Sequence, residues 1–312
     1  MSNFSDLRND GVPVGMGSRF SSPWATHYFV DYDYGSDDNI GTNPDEAFKT
    51  ITQAASVMSR EDIAYIRPRG FDDDRGFNRY QEDVTITGGV TSAGTFANGN
   101  MSLIGVTAPG SIGDFVGVRW QHLTAQSLLN EAPALHVENI GFFNEGATYG
   151  ALLSHDGATG TKQGSQGTSF YNCHFKGKGV YILSGGDGTT LIGCRFQCAY
   201  DGTVAQLNYS ASANPGRRLT VRNCDWLDGN GTKPSAACIT IAAPLTEFLI
   251  TGCNFPQLPT GNVYIATAGA NYGLISNCFF NEDDLDTNAE ITLGTGVTVV
   301  GCYDQAGIAT TA

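Results

Sequence analysis

One short phrase recurs along this chain, and it constrains the fold more than any other feature. Its type copy runs Leu219-Thr220-Val221-Arg222-Asn223-Cys224-Asp225-Trp226: apolar residues at alternate positions, then Asn or Gly, then Cys, any residue, and an aromatic. It returns around Asn172-Cys173, Gly193-Cys194, Gly252-Cys253 and Asn277-Cys278, and in worn form at Gly301-Cys302. Two earlier copies carry an aliphatic residue in the Cys slot, Asn139-Ile140 and Gly105-Val106. Successive Asn/Gly positions lie 34, 33, 21, 30, 29, 25 and 24 residues apart. A period of this size, with loops of variable length, marks a solenoid in which each repeat buries its apolar face only against its neighbours.

Parity then dictates the coil. Side chains of a strand alternate between two faces, so Leu219 and Val221 share one face, and Cys224 and Trp226 share one. The two pairs are an odd number of residues apart. All four point inward only if the chain bends between them, and the residue there is always Asn or Gly, the types that most readily accept a left-handed backbone. A third short apolar strand follows in most repeats, at Ala151–Leu153, Val180–Ile182, Cys238–Ile241, Val263–Ile265 and Ile291–Leu293. Three strands per turn with an Asn bend resembles the right-handed parallel β-helix of the pectate-lyase-like superfamily. The resemblance implies an all-β solenoid of about eight or nine turns at about 4.8 Å per turn. Its bends would carry an Asn ladder (Asn139, Asn172, Asn223, Asn277) and its interior a Cys ladder (Cys173, Cys194, Cys224, Cys253, Cys278, Cys302). An aromatic ladder would run beside them through Phe142, Phe175, Phe196, Trp226, Phe255 and Phe280.

The 8 cysteines are expected to be reduced core residues. No C-x-x-C pair occurs, Cys194 and Cys198 have no His at zinc spacing, and free Cys packs well as a small hydrophobe. Synthesis in a reducing cytoplasm follows, as does the expectation that no signal peptide directs secretion. A formal net charge of −14 with only 17 Lys and Arg argues against nucleic acid as partner. No run approaches the 18 apolar residues of a membrane span.

The chain divides into an extended arm (1–27), a lead-in strand and capping helix (28–62), the coil (63–304) and a short tail (305–312). In the lead-in, Asn43 reads as N-cap, Pro44 as N1 and Glu46 as N3 of a helix. The apolar face of that helix would be Phe48, Ile51, Ala55 and Met58. A cover of this kind protects the unpaired backbone groups at the end of a coil. The stretch Tyr28–Ile51, with Gly35-Ser36-Asp37-Asp38, Asn43-Pro44-Asp45 and Ala47-Phe48-Lys49-Thr50-Ile51, followed by Tyr80-Gln81-Glu82, looks like the opening of carbohydrate-active and phage β-helix proteins. The tail ends abruptly, so the last turn is expected to be covered by another chain.

Two outward tracks carry the candidate chemistry. One reads His174, Arg195, Asp225, Asn254 on four consecutive turns; the other reads Glu138, Tyr171, Ile192, Arg222. Asp225 would be the acid or base, Arg195 and Arg222 the substrate clamps, His174 the proton carrier, and Tyr171 and Glu138 the binding groups. Glycoside cleavage needs two carboxyl groups roughly 5–10 Å apart, and the central track has a single one. The acidic runs 72–75 and 282–286 offer oxygen ligands of the kind calcium takes, but they lack EF-hand spacing and read as solvated loops, so no cofactor is expected. His155-Asp156 lies in a Gly-rich loop.

The catalytic strings that mark polygalacturonases, pectate lyases and pectin methylesterases are missing. Two functions therefore stand against each other. The first is a virion structural protein of a bacteriophage, a decoration or appendage protein. It would be a homotrimer attached to other virion proteins by residues 1–27, with surface polysaccharide as a possible ligand. The alternative is a polysaccharide-degrading lyase or glycoside hydrolase on the same fold.

Overall fold

The computed structural model describes residues 8–9, 12–13, 25–70, 79–88, 98–107, 117–154, 164–183, 187–197, 205–210, 216–227, 237–242, 244–255, 263–267, 272–281, 290–305, 307 and 309–311. The acidic runs 72–75 and 282–286, His155-Asp156 and Cys198 lie outside them.

The strands join into one hydrogen-bonded ladder of 25, parallel throughout apart from its last pairing. The chain winds as a right-handed parallel β-helix with three sheets. The first sheet stacks His27–Val30, Ile63–Ile66, Ser102–Gly105, His136–Glu138, Ser169–Tyr171, Thr189–Ile192, Gly216–Arg222, Leu245–Thr251, Tyr272–Ser276 and Val297–Tyr303. The second runs from Tyr80–Gln81 through Val118–Gln121, Arg195–Gln197 and Asp225–Leu227 to Phe279–Phe280. The third runs from Val84–Thr87 through Leu128–Glu131, Leu207–Tyr209, Ile239–Ile241 and Ile265–Thr267 to Ile291–Thr292. Two strands, Ile140–Leu153 and His174–Ile182, run through both the second and the third sheet.

The bend between the first and second sheets is left-handed at Asn139, Asn172, Gly193, Asn223, Gly252, Asn277 and Gly301, with φ between 48° and 63°. At each turn the bend residue donates its N–H to the carbonyl just before the bend of the next turn, as in Asn172 to Ile192 (2.9 Å) and Asn223 to Thr251 (3.0 Å). Two of the glycines also have a steric reason: a Cβ on Gly252 would lie 2.5 Å from Oδ1 of Asn223, and one on Gly301 3.0 Å from Oδ1 of Asn277, each on the turn before. Where Asn follows Asn, the side chains bond instead, Asn172 Nδ2 donating to Asn139 Oδ1 (2.7 Å). The earliest copy departs from the pattern. Gly105 is not left-handed, and Val106 packs with Phe29, Tyr65 and Ile104 in a second apolar cluster on the outside of the coil.

Inside, the rings of Trp120, Phe142, Phe175, Phe196, Trp226, Phe255 and Phe280 follow one another at 4.7 to 5.4 Å between centroids. The six Cys thiols stack beside them, free and buried, each directed to carbonyls of its own turn and the turn before, as in Cys194 Sγ to Phe170 O (3.4 Å). Burial pushes the Cys194 and Cys224 thiols well up, and hydrogen bonding with Cys253, then burial, pushes Cys278 up to about 12. These thiols are unreactive core atoms near neutral pH.

The N-terminal cover differs in detail from the sequence expectation. Asn43 caps only a 3-10 turn, Pro44–Glu46, and Phe48 then pairs as a single bridge with Val30. The α-helix (α1) is Ile51–Val57, capped by Thr50, which accepts from Gln53 N–H. Ala47 and Phe48 must stay extended to pack against the first strand, and this delays the helix by about two turns. Ile51, Ala54 and Met58 join the main core, with Ala55 at its margin. Glu82, of the Tyr-x-Glu string, accepts from the N–H groups of Ile51 (3.1 Å) and Thr52 (2.7 Å), a carboxylate at the positive end of the helix. At the other end the tail does not stop abruptly: Ala309–Thr311 folds back antiparallel on Val300, Cys302 and Tyr303.

Candidate functional site

The candidate residues divide between two sheets that meet at the bend. His174, Arg195, Asp225 and Asn254 do stack on successive turns, but on the second sheet. Glu138, Tyr171 and Arg222 stack on the first. Because residues on both sides of the bend point into a single core, the outer faces of the two sheets diverge at the corner between them. Arg195 and Asp225 form a partly exposed ion pair, Nε to Oδ2 3.8 Å. His174 occupies an outward slot yet is buried. Burial, and then the Arg195 and Lys176 charges, hold its pKa at about 3, so it stays neutral and cannot carry a proton near neutral pH. Glu138 and Tyr171 instead flank His136, which the sequence did not single out. The imidazole lies 3.1 Å from Glu138 Oε2 and 3.0 Å from Ser169 Oγ, with the Tyr171 ring 5.1 Å away.

Several acidic residues that look chemical in the sequence are structural. Asp31 pairs with the Arg67 guanidinium (2.5 Å), and Asp37 accepts from the N–H groups of Lys49 and Thr50. Asp83 accepts from Leu123, Thr124 and Ala125. Partial burial acts to raise its pKa, but these bonds hold it below the ordinary carboxylate value. Among the described residues no group of three or more His, Cys, Asp and Glu is placed to hold a metal ion.

The structure adds a feature that no sequence signal announced. Between the third sheet and the first, the corner is a second ladder of left-handed residues: Glu61, Asn100, Ala134, Gly167, Gly188, Arg218 and Glu247. They use the hydrogen-bond scheme of the first corner, with Asn100 donating to Pro133 O, Ala134 to Gln166 O, Gly167 to Asp187 O and Gly188 to Arg217 O. A groove of about 610 Å³ runs over this corner, lined by one dipeptide from each of five consecutive turns, from Pro133-Ala134 to Thr246-Glu247. Five turns span about 19 Å at the spacing of neighbouring strands. Asp187 Oδ1 accepts from Arg217 N–H (2.6 Å), and the exposed Arg218 Nε donates to Glu247 Oε2 (3.0 Å). On the neighbouring outer face of the third sheet, the Tyr149 and Tyr181 rings stack at 4.8 Å, beside Lys178 and Asn208.

Two solved structures place this architecture. A rhamnogalacturonan lyase superposes with a TM-score of 0.54 at 13% identity, over 84% of this chain and 69% of that one. The deglycosylated pectin methylesterase from Aspergillus niger gives 0.51 at 16% identity, over 92% and 86%. Both likenesses are of fold, a parallel β-helix. A tailspike protein of the Acinetobacter baumannii bacteriophage Fri1, a capsular polysaccharide depolymerase, gives 0.39 at 9% identity, over 77% and 48%. No family profile and no curated protein matches the sequence.

Proposed function

We propose that this chain is a rigid β-helical virion appendage that binds an extended surface polysaccharide without cleaving its backbone. The observation that carries the binding part is the corner groove. Its walls add one dipeptide per turn, so a linear polymer lying along it would meet a new pair of residues at each step of about 4.8 Å. Its volume lies in the range of ligand sites, and its polar groups are side chains of both charges. The two fold relatives named above, a pectin methylesterase and a rhamnogalacturonan lyase, support a glycan as the polymer. Backbone cleavage is disfavoured because the outward track has the single carboxylate of Asp225, tied to Arg195, and because His174 is buried and neutral. Attachment to the particle is assigned to residues 1–27 and assembly to a homotrimer, in line with the phage-like opening of the sequence.

The test is calorimetric titration of the full-length chain with capsular and lipopolysaccharide fragments, with a parallel assay for new reducing ends. Binding is expected, weakened about 10-fold by Arg218→Ala with Glu247→Ala, a loss of about 1.4 kcal/mol, and no new ends are expected. Absence of binding, or equal binding by the variant, removes the reading. Light scattering of the full chain beside one starting at Tyr28 tests assembly. A monomer in both would remove the trimer and the role of the arm.

A further inference from the structure

His136, Glu138 and Ser169 meet through the register of two neighbouring turns. His136 pairs with Ser169 across the first sheet, and Glu138 stands two residues along the same strand and hence on the same face as His136. Ser169 Oγ is 3.0 Å from His136 Nδ1, and His136 Nε2 is 3.1 Å from Glu138 Oε2. The chain of bonds has one consistent direction: the serine hydroxyl donates to Nδ1, and the Nε2–H donates to the carboxylate. A nucleophile within reach of a base, with a third group orienting that base, is the arrangement of an activated serine.

Two further observations favour chemistry over core packing. Ser102 is the partner of His136 on the other side, yet it is completely buried, and its Oγ has no hydrogen-bond partner among the described residues. Ser169, the serine that is bonded to the imidazole, is 9% exposed, at the margin of burial. The position also fits. Ala134 and Gly167 line the groove, and each lies two residues before His136 and Ser169 respectively. Two strand residues span about 7 Å, so a polymer in the groove would carry its substituents past Ser169.

We propose that Ser169, His136 and Glu138 form an acyl-transfer site that removes ester-linked acyl groups, such as O-acetyl, from the glycan in the groove; this rests on the binding reading above. Ser169 Oγ attacks the ester carbonyl carbon and passes its proton to His136 Nδ1. The sugar oxygen leaves with that proton, and the acyl group stays on Ser169. Water then attacks the acyl-serine, giving one proton to His136. The carboxylic acid departs, and that proton returns to Ser169. Glu138 accepts the Nε2–H bond and stabilises the imidazolium. Turnover is expected to be slow. The N–H groups of Ser169 and Thr190 are spent on Leu135 O and Thr168 O, so they are not free to hold the oxyanion. Removing one oxyanion donor elsewhere costs about 10²–10³ in rate.

The experiment is to treat the intact full-length chain with a fluorophosphonate, measure its mass and map the adduct by peptide sequencing. p-Nitrophenyl acetate hydrolysis is followed in parallel. A single adduct on Ser169 is expected, slowed about 10-fold or more by Glu138→Gln, with hydrolysis lost in Ser169→Ala. An unlabelled Ser169 in the wild-type chain overturns the proposal, whatever the folding of any variant. So does hydrolysis by Ser169→Ala at the wild-type rate. Neither probe needs the groove. Labelling without glycan binding would remove the groove reading and keep the nucleophile; glycan binding without labelling would do the reverse.

Discussion

The two bent corners of this coil do the same backbone work with different residues. At both, a left-handed residue turns the chain and donates its N–H to the carbonyl before the equivalent bend on the next turn. The first corner uses Asn and Gly, which take this conformation at little cost. The second uses Ala134, Arg218 and Glu247 beside its glycines. For such residues the left-handed region costs about 1–2 kcal/mol each, and residues held there cluster at functional sites. The first corner backs onto the aromatic and thiol ladders; the second carries the groove. One corner is built for stability, and the other accepts strain where side chains are needed on the surface.

That comparison can be broken at several points. Phe196 is fully buried and stacks on Phe175 (5.1 Å) and Trp226 (4.7 Å) beside the first corner. Phe196→Ala should cost about 3–5 kcal/mol in urea unfolding; a loss below 1 would mean that the ladder does not hold the corner.

His174, also on this side, ties stability to pH. Its folded pKa of about 3 lies below the ordinary 6.5, so the unfolded chain takes up the proton first. The stability it allows is fully present above about pH 6.5 and is lost as pH falls toward 3, by at most about 1.4 kcal/mol per pH unit. His174→Gln should flatten the slope of the urea midpoint between pH 6.5 and 4, and an unchanged slope would place the titration elsewhere.

Gly252→Ala adds a strained left-handed residue and a contact of 2.5 Å with Asn223 Oδ1. It should cost about 2–3 kcal/mol. Asn223→Gly in the same chain should return about 1 kcal/mol of that loss, and strictly additive effects would contradict the steric role of Asn223 at this bend.

The second corner should answer with the opposite sign. Arg218→Gly and Glu247→Gly relieve strain but loosen the unfolded chain, for a net gain of about 0.5 kcal/mol each. Glycan binding should fall at the same time. Destabilisation by both would mean that the Arg218–Glu247 pair outweighs the strain.

What the sequence determined is what repeats inside the coil. Inward slots on successive turns meet the same neighbours, so they select the same chemistry. The Asn/Gly bends, the thiols and the rings from Phe142 to Phe280 are therefore legible as a pattern. Trp120 escaped notice because it does not follow its bend phrase, Gly105-Val106, at the usual spacing. The outer surface follows no such rule. Parity puts His174 outside, but only the folded chain buries it. Spacing lists Asp225 and Arg222 together, but the bend at Asn223 puts them on different sheets. The second ladder is silent because register across the turns, and not residue preference, forces Ala134, Arg218 and Glu247 into their conformation. His136 and Ser169 are 33 residues apart and become neighbours only because one turn of the coil separates them. Local sequence carries what each turn buries; which surface groups meet is decided by how the turns stack.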